Sequence, residues 1–160
     1  MLIQAIHENG IVVEVPDLAA AKQKERIRVL HVDDDSSLRK ISKLILLDLD
    51  SSFEIDQACC VDEGLSKLAV GCYDVVVSDY EMPQKDGLQF LTELREQKNE
   101  IPFILFTGKG REEVAIKALN LGADGYHNKQ GNPETVYGEL SHSINLVVDR
   151  SKAKQALLES

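Results

Sequence analysis

From Ile27 onward the chain alternates between two hydrophobic rhythms. Short runs rich in Val, Ile and Phe, at Ile27–Val32, Phe53–Ile55, Asp74–Val77, Pro102–Phe106 and Gly125–Asn128, predict strands. Several are apolar at both alternating positions, as expected of parallel strands covered on both faces. Between them, apolar residues recur three or four apart: Leu38, Ile41, Ile45 and Leu49; Leu65, Leu68 and Cys72; Leu88, Leu91 and Leu94; Val114, Ala118 and Leu121; Val136, Leu140, Ile144 and Val147. Each set predicts a helix with one stripe facing a core. Strand and helix alternate five times, and right-handed crossovers turn that order into an α/β fold, a doubly wound five-stranded parallel sheet with helices on both faces.

Local punctuation agrees. Ser36 or Ser37 can cap the first of these helices, Asn132-Pro133 supplies a cap and a first-turn proline for the last, and Gly122 follows the fourth where a left-handed residue would end it. Residues 1–26 form an N-terminal extension: two β-like runs surround Glu8-Asn9-Gly10, a hairpin signal, and a short helix or linker continues from Asp17 to Glu25. The main domain spans 27–148. Residues 149–160 keep helix-forming composition but lose the stripe, because Lys154 falls where an apolar residue is due, so they read as an extension of the last helix.

Lys and Arg number 18 against 27 Asp and Glu, a formal net charge of −9. Such a chain lacks the footprint for gripping a phosphate backbone, so no nucleic-acid contact is expected. No signal-peptide pattern and no run of about 20 apolar residues is present, so a cytoplasmic protein without membrane insertion is expected. Cys59, Cys60 and Cys72 have no zinc spacing and read as buried thiols in a reducing compartment.

In an open α/β sheet, chemistry sits at the carboxyl ends of the strands. Those ends are Asp33-Asp34-Asp35, Ser78-Asp79, Thr107-Gly108 and Asn128-Lys129. Carboxylates, a hydroxyl and an ammonium thus converge on one rim. Two carboxylates about 5 Å apart repel by roughly 3 kcal/mol at an effective dielectric of 20, so the cluster must protonate or recruit a cation. Hard oxygen ligands without His or Cys favour Mg²⁺.

Four fragments, Val32-Asp33-Asp34-Asp35-Ser36, Val77-Ser78-Asp79-Tyr80-Glu81-Met82-Pro83, Phe106-Thr107-Gly108 and Gly125-Tyr126-His127-Asn128-Lys129, resemble the receiver domain of two-component response regulators in order and spacing, from about Ile27 to Val148. Asp86-Gly87 at the third helix belongs to the same likeness. The resemblance implies a flavodoxin-like (βα)5 receiver fold. It also implies that Asp79 is the phosphoacceptor, and that Asp33, Asp34, the Asp79 carboxylate and the Glu81 backbone carbonyl hold Mg²⁺. Thr107 and Lys129 would bind phosphoryl oxygens, and Thr107 with Tyr126 would form the switch. Glu81 and Lys109, each two residues past a site residue, would pair across the entrance and set the phosphoryl lifetime. The implied partner is a sensor histidine kinase or phosphorelay protein, with self-association through the face made by the fourth helix, fifth strand and fifth helix of the repeat. Output would run through protein contacts, with no multiple-turnover catalysis.

One residue departs from the family. The lysine is usually followed by proline through a cis bond; here Gln130 follows Lys129. A cis bond before a non-proline costs roughly 2.5–4 kcal/mol, so Lys129-Gln130 is expected to be trans, with the loop aiming the lysine by other means. The segment Lys129–Pro133, with Phe106–Glu113 upstream, is similar to receivers of archaeal sensory proteins, often joined to sensor and kinase modules. Two alternatives have different chemistry. A phosphate-independent receiver-like module would usually lose an acidic residue that this chain keeps. A haloacid dehalogenase-type phosphatase, with Asp33 as nucleophile, would need an acidic pair beyond the lysine, where only helix is predicted. His142 lacks the neighbours of a phosphodonor histidine.

Overall fold

The hydrophobic runs do become strands, and their alternation decides which side each helix covers. The computed structural model describes residues 2–6, 12–16, 24–108 and 112–159. Two strands open the chain, β1 (Leu2–Ile6) and β2 (Val12–Pro16). The alternating repeat then runs β3 (Ile27–Val32), α1 (Ser36–Leu49), β4 (Phe53–Ala58), α2 (Val61–Val70), β5 (Val75–Ser78), α3 (Gly87–Glu96), β6 (Phe103–Thr107), α4 (Glu112–Asn120), β7 (Gly125–Asn128) and α5 (Pro133–Glu159). Its five strands are parallel, in the order β4-β3-β5-β6-β7. This is the doubly wound flavodoxin-like arrangement, whose topological switch point lies between β3 and β5.

Alternate residues feed two cores. Ile27, Val29, Val75, Val77, Ile104 and Phe106 pack with Leu46 of α1 and with Val136, Leu140 and Ile144 of α5. Leu30, Val32, Val76, Phe103 and Leu105 pack on the other side with Val61 of α2, Phe90, Leu91 and Leu94 of α3, and Val114 and Ala118 of α4. The central strands β5 and β6 are buried along their whole length, which is why their sequences are apolar without alternation.

Helix ends obey their sequence signals, with one correction. The cap of α1 is Asp35, whose carboxylate accepts from the Leu38 N–H at 3.0 Å, and both Ser36 and Ser37 lie inside the helix. Asp86 and Gln89 form a reciprocal capping box at α3. Asn132 accepts from the Glu134 N–H at 2.9 Å ahead of Pro133, and Gly122 adopts φ +101° after α4.

Three further expectations need correcting. The stripe assigned to α1 holds only in part: Ile45 packs against the core, but Ile41 is 51% and Leu49 48% exposed, while Ser42 and Leu46 are buried. A serine occupies the middle of the true face because its hydroxyl bonds the Tyr137 hydroxyl at 2.7 Å inside the core, and a polar residue there hides the period. Leu121 is likewise 39% exposed. The cysteines are free but not buried: Cys59 and Cys72 are exposed and Cys60 half-buried, because they fall in the turns flanking α2. Finally, the second predicted strand of the repeat runs on to Ala58, since polar Asp56 and Gln57 still pair with β3.

At the N-terminus, β1 pairs antiparallel with β2, as the hairpin signal predicts. The Glu8-Asn9-Gly10 turn and the segment from Asp17 to residue 23 lie outside the described residues. At the other end α5 continues as one helix to Glu159, and every side chain from Asp149 to Glu159 is exposed. Among the described residues no helix is long and apolar enough to cross a membrane.

Candidate functional site

The carboxyl ends of β3, β5, β6 and the edge strand β7 open into one cleft of about 690 Å³, lined by Asp33, Asp34, Asp79, Glu81, Thr107 and Lys129 among others. Residues 96 positions apart meet there. The Lys129 ammonium lies 2.6 Å from Asp33 Oδ2 and 3.3 Å from Asp79 Oδ1. Asp33, Asp34 and Asp79 each offer a carboxylate oxygen, all within 4.8 Å of one another. Such a set of hard oxygen donors, without nitrogen or sulfur, suits Mg²⁺.

Each functional side chain is held by its own neighbourhood. Asp33 is fully buried; its Oδ1 accepts from the Asp35 N–H at 2.9 Å while Oδ2 takes the lysine. Its carbonyl accepts from the Arg39 guanidinium at 2.6 Å. Asp34 is exposed at the mouth. The Asp79 carboxylate accepts from the Tyr80 N–H at 2.8 Å, and Thr107 lines the same cleft. Thr107 is itself buried at the end of β6. The Lys129 N–H donates to the Thr107 carbonyl at 3.0 Å, and its ammonium stands 5.8 Å from the centre of the Phe106 ring.

Electrostatics single out Asp79. Burial pushes its carboxyl pKa up, against the pull of Lys129; the Asp33 charge adds to the rise, and the Tyr80 and Thr107 donors oppose it. The net direction is upward. Because the folded state then holds the proton to higher pH than the unfolded chain, ionised Asp79 subtracts from stability at neutral pH, and the deficit disappears once pH falls below the unfolded carboxyl range. Asp79→Asn is therefore expected to stabilise the fold near neutrality. Urea melts at neutral and acid pH check this: the gain must shrink on acidification, and a gain independent of pH would contradict the assignment.

The sequence-derived set is brought together as expected for Asp33, Asp34, Asp79, Thr107 and Lys129, and Glu81 joins them in the cleft lining. Tyr126 lies apart, half-buried on β7 against the α2–α3–α4 side of the core, where burial raises its phenol pKa. Lys109 lies outside the described residues. The Lys129-Gln130 bond is trans, as expected, since the described residues contain no cis peptide.

Sequence reasoning passed over a polar layer beneath the cleft. His31 is buried with its Nδ1 3.2 Å from the Gln57 amide nitrogen, and that nitrogen also donates to the Arg39 carbonyl at 2.7 Å. Burial, with the charges of Lys129 and Arg39, lowers the His31 pKa to about 3, so the ring is neutral. The available signal was a pair of polar residues, His31 and Gln57, in strand positions due for apolar ones, directly opposite in register.

Comparison with known proteins agrees with this geometry. The chain is 34% identical over 103 residues to the transcriptional regulatory protein DltR of Streptococcus agalactiae serotype III (strain NEM316), covering 64% of this chain and 45% of that protein. It is 31% identical over 114 residues to the transcriptional regulatory protein ResD of Bacillus subtilis (strain 168), covering 71% and 46%. The chain thus spans about half the length of the curated relatives it matches. Among solved structures, a response regulator receiver domain protein from Clostridium thermocellum superposes with a TM-score of 0.70 at 31% identity, over 79% of this chain and 98% of that one. The family model of the response regulator receiver domain matches residues 29–141, and the chain belongs to that family of signalling domains.

Proposed function

We propose that this chain is a phosphorylation switch in which Asp79 accepts a phosphoryl group from a phosphohistidine of a sensor histidine kinase or phosphorelay protein. The observation that carries the reading is the meeting of Asp79, Lys129, Thr107 and the Asp33–Asp34 pair in one cleft, with the ammonium 3.3 Å from the Asp79 carboxylate. Asp33, Asp34, the Asp79 carboxylate and the Glu81 carbonyl would hold Mg²⁺, which supplies neutralisation of phosphoryl charge. In the transfer, an Asp79 oxygen forms the new bond to phosphorus as the phosphorus–nitrogen bond breaks, and the electron pair leaves on the imidazole. Lys129 stands where charge grows on the equatorial oxygens, and the work is positioning and electrostatics rather than proton shuttling.

Thr107 links the chemistry to the switch. Buried at the end of β6, it lines the same cleft as Asp79, and a phosphoryl group there would draw its hydroxyl outward, freeing space for half-buried Tyr126 to turn in. That local charge event biases a two-state face formed by α4, β7 and α5, through which self-association or partner binding would occur. Transfer and hydrolysis are self-catalysed, without multiple turnover on an outside metabolite. The receiver proper would occupy 27–148, in the cytoplasm, with 1–26 and 149–160 as connections. The transcriptional role in the names of DltR and ResD would reside in parts of those proteins that this acidic chain does not match.

Intact-mass spectrometry after incubation with acetyl phosphate and Mg²⁺ tests the reading. Wild type is expected to gain one phosphoryl group and Asp79→Asn none. A wild-type chain that stays unmodified would favour a phosphate-independent interaction module.

A further inference from the structure

Lys129 reaches the cleft from the first position beyond an edge strand, and the fixed turn that the family usually places after it is missing. A set of side-chain bonds takes its place. The Gln130 N–H donates to Asn128 Oδ1 at 2.7 Å, and Gly131, at φ +119°, turns the chain toward Asn132 and α5. The Gln130 side chain then reaches back to the neighbouring loop, its amide nitrogen donating to the Gly108 carbonyl at 3.1 Å. Gly108 also borders the lysine: a Cβ placed on it would stand 3.8 Å from Lys129 Cβ and 3.9 Å from Lys129 Cδ. The Lys129 stem therefore runs beside the residue that the Gln130 amide bonds, immediately after Thr107.

We propose that Gln130 is a positioning residue, an amide latch that ties the loop after β7 to the loop after β6 and so holds the Lys129 ammonium between Asp33 and Asp79. The inference rests on the phosphoacceptor reading for its consequence but not for its geometry. An unlatched loop lets the lysine stem sample more rotamers, and a four-carbon side chain has much rotamer entropy to regain. The ammonium then spends less time on Asp33 Oδ2 and opposite the incoming phosphoryl oxygens. This has two opposite effects. Phosphoryl uptake slows because a pre-positioned charge is lost. Mg²⁺ binding tightens because a cation competing for the same carboxylates is loosened.

The test uses Gln130→Met, which keeps length and neutrality but removes the donor, in the full chain with either Lys129 or Lys129→Met. Mg²⁺ affinity is read by titration calorimetry in the absence of any phosphodonor, and phosphoryl uptake by intact mass with acetyl phosphate. With Lys129 present, Gln130→Met is expected to tighten Mg²⁺ and slow uptake, each by roughly two- to tenfold, the scale of one net hydrogen bond. In the Lys129→Met background it should change neither, the non-additivity that marks action through the lysine. Unchanged Mg²⁺ affinity in the single variant, or equal effects in both backgrounds, would overturn the latch. If wild type takes up no phosphoryl group, the phosphoacceptor reading fails on its own, while the Mg²⁺ titrations still decide the role of Gln130.

Discussion

Lys129→Met is expected to destabilise the metal-free protein by about 3–5 kcal/mol, the usual cost of removing one partner from a buried ion pair. The lysine side chain is 15% exposed and Asp33 not at all, so little water can replace the ammonium. Without it Asp33 and Asp79 face each other with oxygens inside 4.8 Å, a repulsion of roughly 3 kcal/mol at an effective dielectric of 20. The same substitution makes the carboxylates a better cation site. Added Mg²⁺ should therefore restore much of the loss, and the stabilisation it gives the variant should exceed what it gives wild type. Urea melts of both proteins with and without millimolar Mg²⁺ measure this directly. Equal Mg²⁺ stabilisation of the two would mean that the ammonium and the metal do not compete for these oxygens.

Gly87→Ala is expected to cost about 3 kcal/mol, at the upper end of overpacking effects. A Cβ at this position would stand 2.3 Å from the Asp79 carbonyl oxygen and 2.8 Å from Leu105 Cδ1. Neither neighbour can yield cheaply. The carbonyl belongs to the backbone that ends β5, and Leu105 is fully buried in β6. The glycine is needed because the chain doubles back after Asp79: the Gly87 N–H donates to the Tyr80 carbonyl at 2.8 Å, which closes the loop and starts α3 beside the strand it left. Pushing the first turn of α3 outward would also shift Asp79, so slower phosphoryl uptake should accompany the lower melting temperature. A stable variant with wild-type uptake would show that the loop can relax without moving the strand end.

Much of the site was legible because chemistry at the end of a strand needs no three-dimensional information to be noticed. Asp33-Asp34, Asp79, Thr107 and Lys129 each stand at the end of a predicted strand, and the βα alternation already sends all such ends to one rim. The layer beneath was not legible in the same way. Arg39 grips the Asp33 carbonyl, and Gln57 joins His31 to Arg39, through contacts between segments whose sequence separation carries no pattern. Part of the α1 stripe failed for a related reason: Ser42 is buried only because Tyr137, 95 residues away, supplies its partner. The cysteines failed because apolar character alone was used, whereas Cys59 and Cys72 fall in turns that leave them in solvent.

Periodicity and strand-end chemistry, both local properties of the chain, determined by themselves the five-fold α/β order, the rim and the acidic and basic residues on it. Which groups touch depended on long-range packing. It set the ammonium against Asp33 as well as Asp79, raised the Asp79 pKa by burying it, and brought Gln130 within reach of Gly108. Distances, desolvation and hydrogen-bond direction depend on where remote segments are packed, and no linear pattern encodes them.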